Sequence, residues 1–381
     1  MRLRIQFALL LATLSLPVVL VGQIQAQQMA PIMPLASKSL LLDITLAGER
    51  LVAAGEHGII LYSDDNGSRW EQASVPTIQM LTGVYFTDAQ HGWAVGHDGL
   101  ILASDDGGEN WRQQRDGLTV QRQVNLKQRT LARKRVAALQ QQLEAAGEDS
   151  EDSEEALEAD LEEAEIDLED AELTLSEALF TSPLMDVWFE NANRGWAVGA
   201  FGSLITTVDG GQHWVNHQAM LDNPDEYHLN TITGDDAGRL FIAGEGGIMF
   251  RSMDGGKTWQ KLPSFYQGSW FGAVYSAQHN ALLVCGLRGN LYRSNDFGTT
   301  WEKLTTGDNN TLAGGNASQQ GDIVIVGSEG TVLHSTDGGK SFQQSTTADR
   351  MSLSSGISHG GRTVLVGQGG VRIEGDPSDH G

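Results

Sequence analysis

The chain has 381 residues, 40% of them hydrophobic, with 46 glycines and a formal net charge of −24. That charge excludes a nucleic-acid backbone as partner, and glycine at this density without a collagen-like period points to many tight turns. The one cysteine, Cys285, lies in the apolar stretch ALLVCG, which excludes an internal disulfide and reads as a buried thiol.

At the N-terminus, Arg2 and Arg4 precede an apolar run over 5–21, and Ile24-Gln25-Ala26 has the look of a cleavage site. Residues 1–26 are therefore expected to be a secretory signal peptide, with no membrane span in the mature chain. No cysteine follows the apolar run, so the bacterial lipoprotein pattern is missing. Export without disulfides predicts a periplasmic protein.

From there the chain repeats. Seven G-x-x-G tetrapeptides begin at Gly55, Gly96, Gly199, Gly244, Gly286, Gly327 and Gly367, spaced by 41, 103, 45, 42, 41 and 40 residues. Apart from the long interval, this is the period of a four-stranded propeller blade. Within one unit, RLFIAGEGGIMFRSMDGGKTWQKL, short apolar runs alternate with glycine turns. The pattern predicts strands a to d over 229–233, 240–243, 248–252 and 258–262. The first six units carry a turn of the form [ST]-x-D-x-G-x-x-[WF], with aspartates Asp65, Asp106, Asp209, Asp254, Asp296 and Asp337. The Asp side chain accepts from turn amides, Gly supplies positive φ and the aromatic packs across the hairpin. The turn is structural, one per blade. The fold class is all-β: a seven-bladed β-propeller with an inserted antiparallel α-helical hairpin. Blades one and two, with a closure strand, occupy 27–116, the hairpin 117–181, blades three to seven 182–375, and a tail 376–381. The last unit ends after strand c, and residues 29–35 are expected to supply its outermost strand.

The long interval, 117–180, carries 17 Asp and Glu against 6 Lys and Arg. Its first part has helix formers and the bases Arg122, Lys127, Arg129, Arg133, Lys134 and Arg135. Residues 147–153 form an acidic break. In the second part Leu157, Leu161, Ala164, Leu168, Ala171, Leu175 and Ala178 make a heptad seam, matched in the first by Ala132, Val136, Leu139, Leu143 and Ala146. The segment reads as a coiled coil, either self-contained or serving as a docking arm. Because it joins strand d of blade two to strand a of blade three, it should stand on the face that bears the G-x-x-G loops. That face presents Glu56, His57, His97, Asp98, Phe201, Glu245, Arg288, Glu329 and Gln368, with Phe265, Tyr266 and Trp270 from the d-to-a passages. Two His among carboxylates suit a metal in kind, but loops on different blades diverge, so no metal or cofactor is expected.

The turns resemble the Asp-box, the bacterial neuraminidase repeat. The two GWAVG segments at 92–96 and 195–199, each followed by an Asp-box, resemble the Ycf48-like photosystem II assembly factors and their bacterial relatives. That resemblance implies a non-enzymatic exported scaffold for a membrane complex. In photosynthetic members the partner is a photosystem II subunit and an arginine-rich face is implicated. Here the G-x-x-G loops carry one Arg, Arg288, and the hairpin is foreign. The expected partner is therefore an inner-membrane complex, an RND-type exporter by analogy with non-photosynthetic relatives, with a photosystem II subunit as the alternative. A sialidase-like or glycoside-binding propeller is a further alternative, weakened by the lone Arg and the count of seven blades.

Overall fold

The computed structural model describes residues 28–145 and 151–374. The expected signal peptide and tail, and most of the acidic break, lie outside the described residues. Among those described, the strands form seven antiparallel sheets, six of four strands and one of three, each ordered as the chain runs. The innermost strand of each blade packs on that of the next. Strand a of blade seven (Leu353–His359) packs back on strand a of blade one (Leu41–Ala47), which closes the ring.

Two glycine rules build the blades. A Cβ on the first glycine of a G-x-x-G loop would lie 2.1 Å from the Leu40 carbonyl at Gly55 and 2.1 Å from that of Met80 at Gly96, so strand a approaches too closely for any side chain. In GWAVG, a Cβ on Gly92 or Gly195 would strike the ring of Phe86 or Phe189 at 2.3 and 2.4 Å. These glycines are the sockets for an aromatic of strand a. Strand b, for example Leu240–Gly244, is buried throughout because neighbouring blades cover both its faces. Cys285 lies in such a strand, and burial pushes its thiol up to about 12.

The closure differs from the expectation. Residues 29–35 form no strand, and blade seven ends as a three-stranded sheet. Pro31 and Pro34 supply no N–H, so this stretch cannot sustain a ladder. Instead, the Ala30 N–H donates to the Val75 carbonyl at 2.8 Å and the Met33 N–H to Gln72 Oε1 at 2.9 Å. Met33 and Ala36 then pack with Leu41, Ile44 and Val371. The segment runs along the junction without forming a strand, with Ala30 and Met33 packed inward and Ile32 and Leu35 left exposed.

Between strand d of blade two (Arg112–Arg115) and strand a of blade three (Leu184–Asn191) stand helices α1 (Gly117–Ala145) and α2 (Glu151–Ser176), packed on one another. Asp116 caps α1: its carboxylate accepts from the Leu118 N–H at 3.0 Å and the Thr119 hydroxyl at 2.7 Å. The least exposed positions of α2 are Leu157, Leu161, Ala164, Leu168, Ala171 and Leu175, as the heptad requires, while its last expected member, Ala178, lies beyond the helix end and is exposed. Ala132, Val136, Leu139 and Leu143 answer from α1. Toward the propeller the α1 seam turns polar, and Gln121 there donates to Asn125 at 2.9 Å. Arg135 bridges Asp167 at 2.9 Å and Glu163 at 3.0 Å, and Arg133 pairs with Glu172.

Candidate functional site

Each of the first six G-x-x-G loops makes one tight turn whose third residue is left-handed: His57, Asp98, Phe201, Gly246, Arg288 and Glu329 have φ between 54 and 62°. Side chains at this position stand off the turn, so residue choice there decorates the face without altering the loop. His57, His97, Phe201, Arg288 and Glu329 are exposed, as the sequence led one to expect. The carboxylates are partly engaged. Glu56 accepts from the Leu40 N–H at 2.9 Å, Glu245 from the His228 N–H at 3.2 Å, and Asp98 from the Gln79 amide at 2.5 Å. Trp270 is not on the surface at all. It is fully buried, with the rings of Tyr266, Tyr292 and Phe265 packed 4.7 to 5.9 Å from it. It begins strand a, and side chains there point into the blade interface. Among the described residues, no three His, Cys, Asp or Glu side chains gather in a way that could hold a metal ion.

The arm roots on this face. Arg115 donates to the Gly99 carbonyl of the second loop, and a Cβ on Gly117 would lie 2.3 Å from the Asp98 carbonyl. Where the chain leaves α2, Phe180 meets Phe201 of the third loop edge-on at 5.9 Å, and Phe201 lies 4.9 Å from His228. The sequence reading picked out Phe201 but not Phe180, Tyr227 or His228. An isolated Phe in the polar stretch after a helix was the available signal.

Beneath the face runs a central channel of about 230 Å³, lined among others by Asp43, Asp186, Thr231 and Ser355. Every strand a carries a β-bulge near its start, which turns these residues inward. Asp43 accepts from the Val84 N–H of blade two at 3.0 Å, and Asp186 from the Ile232 N–H of blade four at 2.9 Å. Burial pushes Asp43 up to about 6. Burial and the charge of Asp43 push Asp186 up to about 7.

The Asp-box turns follow one bonding scheme. In blade four, Ser252 Oγ accepts from the Gly256 N–H at 2.8 Å and donates to Asp254 at 2.8 Å, while Asp254 accepts from the Thr258 N–H at 2.9 Å and hydroxyl at 2.7 Å. Asp65, Asp106, Asp209, Asp296 and Asp337 repeat it. The Thr258 hydroxyl and amide hold Asp254 down to about 2. In blades one and two the Trp70 and Trp111 indoles donate to the turn carbonyls of Gly67 and Gly108. These bonds hold each hairpin turn closed.

Fold and face together define a seven-bladed Asp-box propeller whose glycine-loop face carries a helical arm with exposed aromatics at its base. Over residues 62–134 and 169–307, more than half of its length, the chain matches the family described as photosynthesis system II assembly factor YCF48, and it belongs to that family. The unmatched interval between the two segments falls on the outer part of the arm. The photosystem II assembly lipoprotein Ycf48 of Synechococcus sp. (strain CC9902) is 38% identical over 79 residues, which span 20% of this chain and only 23% of that relative. Among solved structures, YCF48 bound to D1 peptide superposes with a TM-score of 0.58 at 14% identity, covering 91% of this chain and 95% of that one. YCF48 from Cyanidioschyzon merolae gives 0.56 at 14%, covering 91% and 97%. The WD40 propeller of Doa1 gives 0.57 at 13%, covering 93% and 98%. At such identities the structural likeness speaks for the fold alone.

Proposed function

We propose that the chain is an exported, non-catalytic assembly factor of the Ycf48 type, which holds a segment of a photosystem II subunit on its G-x-x-G face beside the arm. Membership of the YCF48 family, through matches on both sides of the hairpin, carries this reading. The matched proteins favour this client over the RND-type exporter suggested by analogy. The geometry favours binding over hydrolysis: Glu56, Asp98 and Glu245 sit on separate loops, each bonded to its own surroundings. Export rests on the basic and apolar N-terminal segment. Among the described residues no helix is long and apolar enough to cross a membrane.

The test is deletion of the gene in its own organism, with membrane complexes resolved on native gels after a pulse of labelled amino acid. Accumulation of an early photosystem II intermediate, reversed by the wild-type chain, is the expected result. Photosystem II assembly at the normal rate in the deletion strain would defeat the reading.

A further inference from the structure

We propose that the aromatic patch at the base of the arm is a docking site for a cationic side chain, an arginine or lysine on an extended segment of the partner. This rests on the assembly-factor reading, which supplies the partner segment, and it names the chemistry by which that segment is recognised.

The patch is contiguous. Phe180 is 65% exposed and Phe201 42% exposed, and they meet edge-on at 5.9 Å. Phe201 continues to His228 at 4.9 Å, and His228 Nε2 lies 3.7 Å from Glu245 Oε2. Tyr227, 38% exposed, sets its ring 3.4 Å from where a Cβ on Gly246 would be. None of these rings completes the core. Phe201 moreover occupies the left-handed position, φ 54°, that the other loops fill with His, Asp, Gly, Arg or Glu. A bulky aromatic in that conformation is costly, and surface aromatics gathered in one patch mark an interaction site.

Its charge selects the partner. Exposed Asp225 and Glu226 immediately precede Tyr227 in sequence, Glu245 borders His228, and exposed Glu177 lies three residues before Phe180. Asp222 in the same passage is already paired with Lys261 at 3.5 Å. Ring faces are negative, so aromatics rimmed by carboxylates attract a guanidinium or ammonium group and repel an acidic segment. The apolar stem of such a side chain would cover the Phe180 and Phe201 rings while its head meets the carboxylates.

The experiment titrates a fluorescein-labelled decapeptide of alternating Arg and Leu into the full chain, with a citrulline-for-Arg peptide alongside. The key variant is Phe180→Ser with Phe201→Asn. It leaves net charge unchanged, and Asn tolerates the left-handed position. Tighter binding of the Arg peptide by about tenfold, lost in this variant, is expected. Glu245→Gln, which keeps an acceptor for the His228 N–H, should weaken it about threefold and decides the matter if the double variant does not fold. Equal affinity for both peptides, or undiminished binding by the variants, means only diffuse attraction to an acidic protein and overturns the proposal. Co-purification separates the two readings. A client retained by wild type and double variant alike removes the patch but leaves the assembly factor. A wild type that discriminates the peptides yet retains no client removes the assembly factor and leaves the patch.

Discussion

Replacing Asp186 with Asn should change the pH dependence of stability in a defined direction. The Asp186 carboxylate accepts from the Val187 N–H at 2.7 Å, the Ile232 N–H at 2.9 Å and the Thr231 hydroxyl at 3.0 Å, bonds that favour the ionised form. Loss of bulk water outweighs them, with help from Asp43, and lifts the group from 3.8 to about 7. Between those values the folded chain holds a proton that the unfolded chain has released. Folding therefore becomes less favourable as pH rises through the window. A shift of this size corresponds at full effect to about 4 kcal/mol, and the residue's partial exposure to channel water brings it to about 2–3 kcal/mol. Asn does not titrate there and, like the protonated acid, offers one carbonyl acceptor and one donor group. Asp186→Asn should thus lie close to wild type at pH 4 and gain about 2–3 kcal/mol on it by pH 7.5. Urea unfolding followed by tryptophan fluorescence at fixed ionic strength gives the comparison. A difference that stays constant, or moves against the variant as pH rises, would refute the reasoning.

Ser252→Ala leaves the part-buried Gly256 N–H without its acceptor and should cost about 1–3 kcal/mol in urea unfolding, with client binding intact. Trp270→Ala empties a fully enclosed site between Tyr266 and Tyr292 and should cost about 3–5 kcal/mol by the same assay. Exchanging 117–181 for a short Gly-Ser linker should leave a folded propeller within about 1 kcal/mol of the parent, because loop closure depends weakly on length. An unfolded deletion by circular dichroism would make the arm part of the core.

Much of this molecule was legible in the residues. Spaced G-x-x-G loops gave seven blades because the close approach at Gly55 or Gly96 admits no Cβ, and the heptad at Leu157, Leu161 and Ala164 gave the arm because its spacing is geometric. The non-strand course of residues 29–35 was hidden by its likeness to the passage after strand d. Pro31 and Pro34 were the contrary signal, and they prevailed through missing N–H groups. Trp270 was misplaced because the end of a d-to-a passage and the start of strand a are alike in composition. The Phe180–Phe201–His228 patch joins residues from three segments, which only the folded blades bring together. The β-bulges that aim Asp43 and Asp186 into the channel have no local sequence mark.

The central claim is that a membrane-complex subunit docks beside the arm on the G-x-x-G face. A photocrosslinking amino acid at Phe180, on that face, and at Lys257, on the exposed Asp-box turn of the opposite one, tests it in native membranes. The account predicts a covalent adduct to a photosystem II subunit from position 180 and none from 257. An adduct from 257 alone, or equally from both, would contradict it.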